Sequence, residues 1–419
     1  MRGLRSLALL AFPDFSRLQF YFYGIPGMVL FLSMISGKIS TPFDHLHPIM
    51  AIDKIYWIIT TGIFLADPAI RIGLSMRVLM RKRAPSVTLA WLAIIVLMPF
   101  LGAAVYLLLG ENRIGEKRAR CSSADLSLMQ SWAEGLNRRA FTGWRFLNPE
   151  CDPIHRQIDT ATRIPTMPGN SIKLIECSDE FFDSLIRDID RARISCLLEF
   201  YIWTAGGKAD LVCRALVRAS QRGVRCRILL DSIGSKDFLR SRQRRELEKA
   251  GKKIAECMPA GLGQALFVRI DLRNHRKIIC IDGCIGYTGS QNLVDPKFFK
   301  QDRQVGEWVD IMVRIRGPVV EIITAFFLND GAVESGEDLE QLKREELRDV
   351  PEAGPIPVQP VPSGPGAAEE TIHDLLLTTI YAARRELILT TPYFVPDKPI
   401  LTALKSAAQR GVCHRSRKK

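Results

Sequence analysis

The sequence predicts an α/β protein whose sheet is covered by helices on both faces, set behind N-terminal membrane helices. Three observations predict it. Apolar strands alternate with amphipathic helices after residue 166, the same order recurs near residue 371, and the first 110 residues hold long uncharged runs. The 419 residues leave room for two or three domains and a sizeable core. With 47% hydrophobic and 25% charged residues, the chain is too apolar for disorder and too charged for a polytopic transporter.

The 58 Lys and Arg against 45 Asp and Glu leave a formal +13, a balance that raises nucleic acid or an anionic membrane as partner. Its location decides between them. Residues 1–120 hold 14 basic and six acidic side chains, and 413–419 add +4 through Arg415, Arg417, Lys418 and Lys419. The 292 residues between carry only +1. The excess points to a bilayer, and no nucleic-acid partner is expected.

The N-terminal elements come first. Ala84–Gly110 runs 27 residues without a charge, and about 20 apolar residues span a bilayer as a helix. Ile55–Ile70 is shorter and interrupted by Asp67-Pro68. Together they predict a transmembrane hairpin over 51–110, with Arg71, Arg77, Arg81, Lys82 and Arg83 between the two segments. That basic loop favours the cytoplasmic side. Arg113, Lys117, Arg118 and Arg120 follow the second segment on the other side, so the cues oppose one another and orientation stays open. The extension 1–50 holds a third uncharged run, Leu18–Gly37, a candidate for a further membrane segment. Residues 111–165 read as a connector.

The first α/β domain spans 166–330. IKLIEC at 172–177 reads as a strand, and Phe181–Arg193 as a helix with Phe181, Phe182, Leu185, Ile186 and Ile189 on one face. Ile194–Trp203 reads as a buried strand, Ala209–Ala219 as a helix closed by Gly223, and Val224–Leu230 as a further strand. Over 371–412 the order returns: helix Ile372–Arg385, strand Glu386–Tyr393, helix Ile400–Ala408. ASQRGV at 219–224 matches AAQRGV at 407–412, and EFYIW matches TPYFV. The offset is 192 at the first helix and strand and 188 at QRGV, so internal duplication is the economical account. The intervening 331–370 is acidic, then holds six prolines between Pro351 and Pro365. It reads as a linker, semi-extended or wrapped against the domains. The basic tail 413–419, CHRSRKK, stands where the first copy has an apolar strand, and no strand is expected there. All ten cysteines follow residue 120, none in a C-x-x-C pair, and they read as buried reduced thiols rather than metal ligands or a disulfide framework.

The chemistry concentrates in one run, Asn274 to Asn292, with the pattern H-x-K-x4-D-x6-G-S-x-N. In extended chain His275 and Lys277 project together. Ile278, Ile279 and Ile281 bury the strand behind them, Asp282-Gly283 supplies a turn, and Ile285–Thr288 a returning strand. Gly289-Ser290 lets backbone approach a ligand, with Ser290 and Asn292 offering polar contacts. An imidazole can attack phosphorus and divide one displacement into two. Lys277 and Asn292 suit the charge on nonbridging oxygens. This set calls for no metal and no cofactor, and no carboxylate cluster is present to hold Mg²⁺. Asp282 divides between the turn and the chemistry. Glu307 and Asp310, in GEWVD, either support the site or are solvated strand residues. Glu199, flanked by apolar residues in a strand, needs a partner.

These residues resemble the HKD signature of the phospholipase D superfamily. From about Tyr56 to Val412 the chain is similar to bacterial cardiolipin synthases of that type, through AWLAIIVLMPFLGAAVYLLLGE, LEFYIW, ASQRGVRCRILLDSIGS, HRKIICIDGCIGYTGSQNLVDP and TPYFVPD. The resemblance implies an α-β-α sandwich in which two HKD halves face one active site. It implies a multi-pass protein of the bacterial inner membrane, with phosphatidylglycerol and other anionic phospholipids as partners. Two phosphatidylglycerols give cardiolipin and glycerol, one motif histidine becoming a phosphohistidine and the other acting as acid and base. His275, Lys277, Asp282 and Asn292 carry over to the first motif. The second motif is expected near position 463, beyond these 419 residues, and His414 is no substitute because Ser416 stands where Lys is needed. One complete half and a partial second half are therefore expected, with transferase activity impaired. The alternatives are a non-catalytic anionic-lipid-binding protein and a single-motif phosphodiesterase or nuclease working as a homodimer.

Overall fold

The computed structural model describes residues 46–81, 85–110, 132, 135–257, 273–298, 307–363, 371–391 and 394–418. The expected segment at 18–37 and the basic residues 113–120 lie outside the described residues. The chain divides into two units at Pro68.

A 35-residue helix, Leu46–Met80, covers the first predicted membrane segment. In the first unit its described side chains Trp57, Ile58, Ile63, Phe64 and Leu65 are exposed. In the second unit, Val78 packs with Ile95 and Tyr106, and the Arg71 guanidinium donates to the Val96 carbonyl at 2.7 Å. The uncharged run 84–110 is not one helix. Pro99 has no N–H and cannot continue a ladder, so the run breaks between Pro85–Leu97 and Pro99–Val105, and the latter passes into a π-helical turn, Tyr106–Gly110. No helix among the described residues is long and apolar enough to cross a membrane.

The α/β expectation is met. Strands β1 (Met167–Ile175), β2 (Ser195–Phe200), β3 (Arg225–Asp231), β4 (Lys253–Cys257), β5 (Ile278–Ile281), β6 (Ile285–Gly289), β7 (Met312–Arg316) and β8 (Ile356–Val358) form one sheet. Their order is β4-β3-β2-β5-β6-β7-β1-β8. β2, β3 and β4 are parallel, and every other neighbouring pair is antiparallel. Every residue of β2 is buried because both sheet faces are covered. Its alternation splits the core. Leu198 and Phe200 meet the helices Ser178–Arg191 and Gly207–Gln221 through Phe182, Leu185, Val212 and Leu216. Leu197 faces the other way, towards Val320, Ile323 and Phe327 of the helix Val319–Ser335. This is an α-β-α sandwich. Cys196, Cys226 and Cys280 lie buried in its central strands as reduced thiols.

Two boundaries differ from the sequence reading. Residues 331–370 are not merely a linker. The helix Val319–Ser335 runs into them, Asp338 caps the next helix, Leu339–Glu346, and Leu339 and Leu342 enter the core. Glu346 is buried against Arg225 at 3.0 Å, and β8 pairs with β1 at the sheet edge. The first domain thus extends past residue 330 to Val358, because two leucines spaced three apart in an acidic run suffice to dock a short helix.

The second repeat, Thr371–Ala382, β9 (Glu386–Thr391), Lys398–Gln409 and β10 (Cys413–Lys418), has its own small core of Ile380, Leu387, Ala403, Leu404, Ala407 and Val412. The expectation of no strand after Val412 fails: β10 pairs in parallel with β9. A ladder is built from backbone groups, which a basic sequence supplies as well as an apolar one. The pairs Ser195↔Arg225 and Glu386↔Cys413 place the first strands of the two copies 191 residues apart and the second strands 188 apart. Leu387 and Leu389, two residues apart on β9, pack in the small core with the helices.

Leu342→Ala should lower the unfolding free energy of the detergent-solubilised chain by about 2–5 kcal/mol, as for other buried leucines. A denaturant titration showing no change would return the segment to the role of a detached linker.

Candidate functional site

Strand register gathers the site. β2 and β3 end together, with Phe200 paired to Leu230. β5 begins beside that end, with Ile278 opposite Glu199, and β6 returns to it, with Thr288 opposite Ile278. β7 starts there too, with Met312 opposite Gly289. One sheet edge therefore carries Tyr201 and Asp231 after the parallel strands, His275 and Lys277 before β5, Ser290 and Asn292 after β6, and Asp310 before β7. The carboxyl ends of parallel strands are where open α/β sheets take ligands.

The His275 imidazole stacks on the Tyr201 ring, centroids 4.0 Å apart at 18°. Lys277 lies with its ammonium 5.8 Å from the same ring centroid and donates to the His275 carbonyl at 2.6 Å. Partial burial lowers the His275 pKa, Lys277 lowers it further, and Asp231 opposes them. The neutral, nucleophilic form is thereby favoured near neutral pH. Burial also pulls Lys277 below the ordinary lysine value, with Asp310 and Glu199 countering.

Asp282 lies elsewhere. It follows β5 at the opposite sheet edge, about 16 Å of strand from Lys277. Its carboxylate accepts the N–H groups of Arg193, Ile194 and Ser195 at 3.0, 2.7 and 3.0 Å. Asp282 and Gly283 both have positive φ, 52° and 66°, in the three-residue turn 282–284 that joins the paired residues Ile281 and Ile285. Of its two candidate roles, the structure shows the turn and a clamp on the start of β2.

The phosphate-contact candidates are partly engaged. Ser290 donates to Asp310 at 2.7 Å and accepts from the Ile311 N–H at 3.0 Å. Asn292 accepts the Ile202 N–H at 3.0 Å through its carboxamide oxygen, so only its Nδ2 donor can face an anion. Glu307 is exposed, whereas Asp310 reaches Ser290 and the field of Lys277.

Behind the pair lies a buried network that the sequence only hinted at. Asn274 donates to Glu199 at 2.5 Å and to Asp330 at 3.1 Å, and Arg276 pairs with Asp330. Glu199 thus has the partner its place in β2 demanded. Tyr201, Asp231, Asn274, Arg276 and Asp330 were not singled out from sequence. For Tyr201 a signal existed, since the EFYIW and TPYFV pair keeps a tyrosine at its centre. For Asp231 the signal was an acidic residue closing an apolar strand. Among the described residues, no group of three or more His, Cys, Asp or Glu is arranged to hold a metal ion.

Comparison with known proteins adds to this geometry. Residues 185–327 match a family described as the cardiolipin synthase, PLD-like domain, and residues 69–111 match the phospholipase D-nuclease N-terminal family. Cardiolipin synthase A of Yersinia pseudotuberculosis is 39% identical over 348 residues, 81% of this chain and 70% of that protein. The phosphatidylserine synthase structure from Haemophilus influenzae shares 12% identity, covering 63% of this chain and 65% of that one at a TM-score of 0.41. The phospholipase D family member Nuc from Salmonella typhimurium shares 19%, covering 43% and 99% at 0.28.

Asp282→Ala should cost about 2–3 kcal/mol of unfolding free energy, the scale of hydrogen bonds to a charged acceptor. Asp282→Asn, which keeps an acceptor and tolerates positive φ, should lose less than half of that. Parental thermal stability in Asp282→Ala would remove the clamp.

Proposed function

Because the chain belongs to the phospholipase D-like cardiolipin synthase family, a family of phosphatidyltransferases, we propose that it acts on phosphatidylglycerol and that His275 carries the phosphatidyl group covalently. The observation that carries this reading is the meeting of His275 and Lys277 on the Tyr201 ring, at the end of the sheet where the parallel strands finish. A neutral imidazole nitrogen donates its lone pair to phosphorus, a P–N bond forms, and the P–O bond to the headgroup glycerol breaks. The departing oxygen takes a proton from a general acid. The hydroxyl of a second phosphatidylglycerol then attacks phosphorus, giving its proton to that same group now acting as base, the P–N bond breaks, and cardiolipin forms with His275 restored. Lys277 and the Asn292 amide are suited to the charge on the nonbridging oxygens. Asp310, through Ser290, orients the loop that carries Asn292. Asp282 contributes by holding strand register rather than by touching substrate.

These 419 residues carry one H-x-K-x4-D motif, so the half-reaction at His275 is the part of the cycle assigned to them. Full turnover calls for a second histidine, which a further motif or another copy of the chain would bring. Association with the bacterial inner membrane is part of the same reading. Leu89, Leu97, Phe100 and Leu101 present an apolar surface of the kind that meets lipid.

The test uses a phosphatidyl ester of nitrophenol in mixed micelles, because nitrophenolate departs without needing a proton. The chain should release it in a burst approaching one equivalent and hold the label as an acid-labile adduct. His275→Ala should abolish both, and Lys277→Met should slow the burst about 10²–10³-fold, the cost of losing one oxyanion donor. A burst that survives His275→Ala would overturn the assignment.

The burst rate should also fall with acid. The folded pKa of His275 lies below 6.5, so the neutral form persists down through that value and is protonated only below it. An acid limb with its midpoint below 6.5 is expected; a midpoint at or above 6.5 contradicts the lowered pKa.

A further inference from the structure

We infer that Tyr201 is a positioning residue for the His275 nucleophile, an inference that rests on the reading of His275 above. Three observations carry it. The two rings lie face to face, 4.0 Å apart and 18° from parallel, which fixes the plane of the imidazole and leaves rotation about its last bond few alternatives. The Lys277 ammonium lies 5.8 Å from the Tyr201 ring centroid while bonded to the His275 carbonyl, so one ring contacts both motif side chains. The backbone bearing Tyr201 is itself pinned. Ser235 donates to the Tyr201 carbonyl at 3.0 Å and accepts the Trp203 N–H at 3.0 Å. Asn292 accepts the Ile202 N–H between them.

The pinning extends to backbone packing. A Cβ on Gly234 would stand 2.3 Å from the Tyr201 carbonyl oxygen, so the loop after β3 closes onto this residue only because position 234 lacks a side chain. Asp231, at the head of that loop, is held by the N–H groups of Ile233 and Gly234 and lies 3.5 Å from Arg273. The charged groups bearing on His275 are thus Lys277 and Asp231, with Asp310 and Glu199 acting on Lys277. None of these contacts fixes the imidazole plane. The Tyr201 ring does, and an in-line attack on phosphorus needs that plane fixed, since misplacement of about 1 Å can cost on the order of 100-fold in rate.

The variants are Tyr201→Phe, Tyr201→Leu and Tyr201→Ala in the full chain, each checked for folding by thermal unfolding. The first readout needs no activity. The ring protons of His275, assigned by their loss in His275→Ala, should be shifted upfield by the tyrosine ring current. The shift should persist in Tyr201→Phe and vanish in Tyr201→Leu and Tyr201→Ala. The second readout is the nitrophenolate burst. Tyr201→Phe should stay within about threefold of the parent. Tyr201→Leu should fall about 10–100-fold at saturating lipid with the half-saturating lipid fraction unchanged. His275 resonances unmoved in Tyr201→Leu, or a parental burst rate in that variant, would overturn the inference. A parental chain that shows the ring-current shift but no burst would overturn the nucleophile assignment and leave the stacking in place.

Discussion

The position of β5 against β2 is the constraint from which the rest follows. β5 is only four residues long, and its reactive end is defined by where its other end is held. Asp282 holds it. Three N–H groups at the start of β2 converge on one carboxylate, and the Asp282 N–H donates to the Ser195 carbonyl at 2.8 Å. With that corner fixed, Ile278 stands opposite Glu199, and the next residues outward bring His275 to Tyr201. A slip of one residue would turn Lys277 to the other face.

A second constraint is buried charge. Glu199 sits inside a wholly buried strand, and a carboxylate there is tolerated only with donors around it. Asn274 supplies one and ties Glu199 to Asp330, which in turn holds Arg276. The residues on both sides of His275 are therefore anchored into the helix Val319–Ser335. This leaves His275 and Lys277 as the members of the run that turn towards the sheet edge. The burial that holds the network extends to Lys277, whose ammonium it pulls below the ordinary lysine value.

The segment after that helix shows how composition misleads about boundaries. An acidic, then proline-rich stretch reads as a spacer. Yet Arg225 and Arg227 of β3 need acceptors, and Glu337, Glu345 and Glu346 provide them. The acidic residues are the complement of a basic strand edge, and the prolines lead into β8 at a sheet edge, where a missing N–H is tolerated. The same logic governs β10, whose backbone pairs with β9 despite a basic sequence.

The sequence by itself determined the α/β class, the alternation of strands and helices from β1 to β3, the β5–β6 hairpin, the repeat and the motif run, because apolar periodicity and residue chemistry are local properties; β4, β7 and the helix Val319–Ser335 were not read from it. It also placed His275 and Lys277 together, since a shared face follows from a period of two, and both lie by the Tyr201 ring. The tertiary structure alone decided which motif residues meet. It separated Asp282 from them, since a spacing along a strand says nothing of which end a site occupies. It joined Tyr201, Asp231 and Asp310 to them from 33 to 76 residues away in the chain. Those meetings are set by strand order and register, which depend on long-range pairing that no local pattern encodes. The uncharged run 84–110 makes the same point in reverse: its composition was legible, and its break between Leu97 and Pro99 follows from the missing N–H of Pro99.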